Sequence, residues 1–97
     1  MAQDTIEVRR GEWLRFISDQ WPHKEKVCDL LSEAAYTHSQ KCPPIGCSWL
    51  FRLLVRFGRK IELAESPEAC FEAFVEVLNF LSHPEPGWDG VELKIVD

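Results

Sequence analysis

Cys47-Ser48-Trp49-Leu50-Phe51-Arg52-Leu53-Leu54-Val55-Arg56-Phe57-Gly58-Arg59-Lys60 is the most apolar run in the chain, and it carries three arginines and a lysine without one acid. Its reading decides the fold. As a strand, Phe51, Leu53, Val55 and Phe57 alternate with Arg52, Leu54 and Arg56. As a helix, Ser48 caps the start, Leu50, Leu53, Leu54 and Phe57 share a face, and Gly58 takes the left-handed position that ends it. The helix accounts for Ser48, Leu54 and Gly58 together, so it is the reading adopted. Arg52 and Arg56 then form a stripe at i, i+4.

Working outward, Gln40 to Cys47 is a loop because it holds Pro43-Pro44 and Gly46. Before it, Val27, Leu30, Leu31, Ala34, Ala35 and His38 mark one face of a helix that starts at Pro22, where a missing N–H costs nothing, and runs to about residue 39. Trp13, Leu14, Ile17 and Trp21 give a shorter helix over Glu12 to Trp21, broken by Pro22. Thr5 to Arg9 alternates like a half-buried strand, ended by Gly11.

On the other side, Lys60 to Ala64 alternates and reads as a strand. Ser66-Pro67-Glu68 is a helix start, with a capping hydroxyl, proline at the first position and an acid at the positive end of the helix dipole. Phe71, Phe74, Val75, Leu78 and Leu81 are its inward face, to about Ser82. His83 to Gly87 is a linker, and Val91, Leu93 and Ile95 alternate in a last strand after the Asp89-Gly90 turn. The expected fold is α+β, in one domain spanning residues 1–97. Three or four helices pack on a small, mainly antiparallel sheet made of the two terminal strands and Lys60–Ala64. The alternative is a small, mostly helical bundle.

Composition bounds the function classes. Hydrophobic residues at 45% and charged residues at 28% suit a soluble globular protein rather than a disordered one. No apolar run approaches the ~20 residues that cross a bilayer, so no membrane is expected. The polar start Met1-Ala2-Gln3-Asp4 does not read as a signal peptide, and a cytoplasmic protein is expected. The net charge of −5 hides a gradient. Residues 1–40 carry five bases and seven acids, residues 41–60 five bases and no acid, and residues 61–97 nine acids against Lys94. Such separation bears on association more than on fold.

Each candidate site has a plain structural reading beside it. His38, Cys42 and Cys47, with Cys28, are zinc-type ligands, but the spacing His-x3-Cys-x4-Cys lacks the close Cys pair of a zinc knuckle. Buried and loop thiols are the plainer account, and no cofactor is expected beyond that zinc alternative. No nucleophile elbow, phosphate loop or metalloprotease motif nominates a catalytic residue, so the chain is expected to be no enzyme. Arg52, Arg56, Arg59 and Lys60, interleaved with Trp49, Phe51 and Phe57, form a basic patch that nucleic acid could use. Against this, the chain is acidic overall, and core packing is the more economical use of the aromatics.

Glu68, Glu72 and Glu76, at i, i+4 and i+8, form an acidic stripe that could pair with those arginines or meet a basic surface on another protein. Trp88, among turn residues, is either a lid on the core or an anchor for a partner. The functional expectation is a small acidic interaction or regulatory protein, inhibitor-like or immunity-like in its physics, with a protein partner. The same separation of charge permits a homo-oligomer, the basic stretch of one copy against the acidic helix of another.

Overall fold

The computed structural model describes residues 4–40, 47–83 and 90–97. Six elements follow in order: β1 (Asp4–Arg9), α1 (Arg10–Asp19), α2 (Lys24–Ser39), α3 (Cys47–Leu63), α4 (Pro67–Ser82) and β2 (Val91–Val96). Four helices thus lie between two strands that pair with each other. The architecture is α+β with helix predominating.

The expected antiparallel sheet is corrected on two counts. Among the described residues it has two strands, and they run parallel, with Ile6 opposite Leu93 and Val8 opposite Ile95. Orientation follows from connectivity. Neighbouring strands can run parallel when a long crossover joins them, and here that crossover contains all four helices. The expected third strand over Lys60–Ala64 does not form, because α3 continues through Leu63. Lys60 to Leu63 belongs to the helix because Phe57 and Ile61 extend its buried face by one more i, i+4 step.

Gly58 is therefore not the end of α3, and Ser48 lies inside the helix rather than at its cap. What Gly58 provides is room. A Cβ there would lie 3.3 Å from the Cys28 sulfur of α2, tighter than ordinary contact. The glycine costs helix propensity, about 1 kcal/mol against alanine, and lets α2 and α3 approach.

The remaining boundaries differ less. Helix α1 starts at Arg10, directly after the strand, so Gly11 lies in its first turn instead of breaking the chain. Helix α2 starts at Lys24, two residues after Pro22. Ser66 caps α4 as its sequence predicts, its Oγ accepting from the Ala69 amide at 3.2 Å.

The core lies where α4 meets the other elements. Cys70, Phe71, Ala73, Phe74, Val77, Leu78 and Leu81 of α4 are buried together with Ile17, Val27, Leu31, Ala35, Phe57 and Ile61. Phe74 sits at the centre, its ring 4.9 Å from Trp13 of α1 and 6.2 Å from Phe57 of α3. The sheet turns Val8 and Val91 to this core and exposes Thr5, Glu7, Glu92 and Lys94 on its other face. Leu30 and Ile95, expected inward, are instead nearly half exposed. No helix among the described residues is long and apolar enough to cross a membrane.

Candidate functional site

A link of residues 64–66 returns the chain from α3 to α4, so the basic stretch and the acidic stripe become two sides of one helical hairpin. Lys24 of α2 fixes the turn of this hairpin. Its Nζ donates to the Ala64 carbonyl at 2.6 Å and lies 4.7 Å above the Trp21 ring. A cation on carbonyls at the end of a helix also complements the negative end of the α3 dipole.

Of the four basic residues predicted as a patch, Lys60 alone forms an ion pair among the described residues. Its Nζ donates to both Glu76 oxygens, at 2.8 and 2.7 Å. That bond, with the Lys60 charge and a smaller pull from Arg56, holds the Glu76 carboxyl below its ordinary pKa of 4.5. Both partners are well exposed, so the pair contributes under about 1 kcal/mol. The contribution is whole above pH 4.5 and fades as pH falls through the lowered folded value. Glu76→Gln is accordingly expected to cost under about 1 kcal/mol in urea melts at neutral pH, less in high salt, and nothing in strong acid.

Arg52, Arg56 and Arg59 are exposed, and no carboxylate among the described residues pairs with them. Glu68 and Glu72 are likewise exposed on α4. The stripe therefore offers two anions rather than three, since Glu76 is already engaged. Intramolecular neutralisation, the plain account of these charges, holds among the described residues for the Lys60–Glu76 pair.

Between the helices lies a groove of about 240 Å³. Phe57 and Val77 form its floor, Leu53 and Phe80 flank it, and Arg52, Arg56 and Lys60 run along one lip. These three cations at i, i+4 and i+8 span about 12 Å of helix. The volume equals roughly eight waters, room for one or two large apolar side chains.

Outside the lining of the groove, α3 leaves large apolar side chains in solvent. Phe51 is 69% exposed, Val55 55% and Leu63 73%. The expectation that the aromatics of this stretch serve the core holds for Phe57, which is buried, and fails for Phe51. The reason is angular. With Leu53, Leu54 and Phe57 turned inward, Phe51 and Val55 fall on the far side of the helix. This apolar surface was missed in the sequence, although the helical reading already implied it.

Of the zinc-type residues, Cys28 and His38 cannot share one ion. Cys28 and His38 stand ten residues apart on α2, about 15 Å along its axis, too far to hold one ion. His38 is buried, its Nε2 2.6 Å from the Ser82 hydroxyl, which ties the end of α2 to the end of α4. Cys28 lies instead near Cys70, and among the described residues no group of three ligating side chains could hold a metal. Cys42, Trp88 and the side chains of Cys47 and Trp49 lie outside the described residues.

No protein-family model, curated protein or solved structure matches the chain.

Proposed function

We propose that this chain is a non-enzymatic binding protein that captures another protein along the α3–α4 hairpin. The observation that supports it is the exposed surface of α3, where Phe51, Val55 and Leu63 stand in water together with Arg52, Arg56 and Arg59, which pair with no carboxylate among the described residues. Single exposed apolar residues are common, but three large ones on one helix, with Phe51 and Val55 one turn apart, mark the kind of surface that partners cover. The apolar residues supply the area, and the charges on either side select the partner.

Two edges of opposite sign make the protein an adaptor in this reading. Glu68 and Glu72 suit a basic surface on the partner, the chemistry expected from the acidic stripe. Arg52 and Arg56 suit an acidic segment carrying an apolar side chain into the groove. A polyanion such as nucleic acid would also meet the arginines, but it has no apolar group for the groove and would approach a chain of net charge −5.

A photocrosslinking residue placed at Phe51 in cells tests the proposal. The expected result is one dominant crosslinked protein, at least about tenfold reduced by R52E/R56E or by E68K/E72K. The same crosslinker at Glu12, on α1, is expected to yield none. Crosslinks to nucleic acid, or a protein crosslink unchanged by both reversals, would contradict the reading.

A further inference from the structure

The paired strands leave a margin open. Among the described residues, backbone hydrogen bonds outside the helices and the β1–β2 ladder all lie at turns and helix ends, so the outer margin of β2 bonds to none of them. A parallel pair standing alone is unusual, since parallel sheets are ordinarily larger and covered on both faces. An unpaired strand margin is a template for another strand, and proteins blunt it or use it. Here the side chains distinguish the two outcomes.

The sequence Val91-Glu92-Leu93-Lys94-Ile95 is complementary to itself when read backwards. In an antiparallel pair of two such strands centred on Leu93, Leu93 faces Leu93 of the second copy. Val91 then faces Ile95, and Glu92 faces Lys94, each of these twice by symmetry. Apolar residues meet apolar, and acids meet bases, which is what stabilises cross-strand pairs. No neighbouring register does this. Centring on Lys94 or on Glu92 sets like charges against each other, and a half-step shift puts charges against apolar residues. Strand β1 offers no register of that length: centring on Glu7 opposes two glutamates, and centring on Val8 pairs Glu7 with Arg9 but leaves only residues 7–9 of the strand to pair, because α1 begins at Arg10. The blunting effect of Lys94 against an arbitrary strand thus turns into attraction for one partner alone, β2 of another copy.

We infer that the second copy is the occupant of this margin, and that two molecules join β2 to β2 about a two-fold axis into one four-stranded sheet. Ile95, 42% exposed in the single chain, is then covered by Val91 of the other copy. On the outer face, Glu7 and Lys94 of one copy continue into Glu92 and Thr5 of the other, an alternating row across the join. Within one chain Glu7 already lies opposite Lys94, and Thr5 donates weakly to Glu92 at 3.4 Å. The contact is isologous, so it closes at a dimer instead of growing into a fibre. It uses a different surface from the hairpin and stands or falls independently of the partner proposed there.

Sedimentation of the full chain at low salt, over a wide range of concentration, tests this. Wild type is expected to show a reversible monomer–dimer equilibrium. E92K sets lysine against Lys94, and K94E sets glutamate against Glu92, so each alone is expected to weaken the dimer about tenfold or more. E92K/K94E restores opposite charges in the same register and is expected to recover dimerisation. An equimolar mixture of the two single variants is expected to form the heterodimer, because the two lysines of the E92K strand then face the two glutamates of the K94E strand. All three carry changes at exposed strand positions, and circular dichroism verifies that they remain folded. A wild type that is monomeric throughout, or a dimer indifferent to these reversals, overturns the inference.

Discussion

Phe74→Ala is expected to destabilise the protein by about 3–5 kcal/mol, the usual cost of removing a buried phenylalanine and leaving a cavity behind. The side chain is 2% exposed and sits where α4 meets two other helices. Its ring touches Trp13, which carries α1, and Phe57, which carries α3. The loss therefore comprises the transferred hydrocarbon, two ring contacts and the void that helices held at several points cannot close. A chain of 97 residues has a total stability of only about 5–15 kcal/mol. One substitution could thus remove most of it. Phe51→Ala deletes the same group from a side chain that is 69% exposed, and is expected to change stability by no more than about 0.5 kcal/mol. Urea denaturation of both variants makes the comparison, and equal losses would mean that Phe74 is not the centre of the core.

The contrast between these two phenylalanines shows where sequence reading succeeds here. Helix α4 was legible throughout, since Ser66-Pro67-Glu68 marks its start by local chemistry and its apolar period persists for four turns. Helix α3 was legible as a helix but not in length. Gly58 resembles a terminator, and its reason for being glycine is the Cys28 sulfur of another helix, a tertiary fact. The two strands could be read from alternation, whereas their parallel pairing could not. No local signal records direction, which depends on what lies between the strands. The charges behaved likewise. Both stripes were visible, but which acid would meet which base depended on how the hairpin closed, and Lys60 with Glu76 is the pair it produced. The self-complementary order of β2 was present in the sequence all along, and it acquires meaning only once the strand is seen to have an open side.

Alkaline pH should destabilise the folded state through one cysteine. Cys70 is fully buried, and its pKa is raised from 9.0 to about 11, first by burial, then by the nearby Cys28 thiol, with Lys24 pulling the other way. The sign follows from proton counting. Below pH 9.0 the thiol keeps its proton in both folded and unfolded chains, and stability is unaffected. Between pH 9.0 and about 11 the unfolded chain loses a proton that the folded chain retains, so stability falls by about 1.4 kcal/mol per pH unit. The whole loss is of order 2–3 kcal/mol. Cys70→Ala removes the group, so its stability is expected to decline less steeply over that window. Parallel stability curves for wild type and Cys70→Ala would refute this. The direction of the shift also bears on the thiols as chemistry. Metal binding and thiol exchange both require a thiolate, which a lowered pKa favours. Burial between the helices holds Cys70 in the opposite state, a protonated packing residue, and of these two thiols leaves the more exposed Cys28 as the one a reagent would find first.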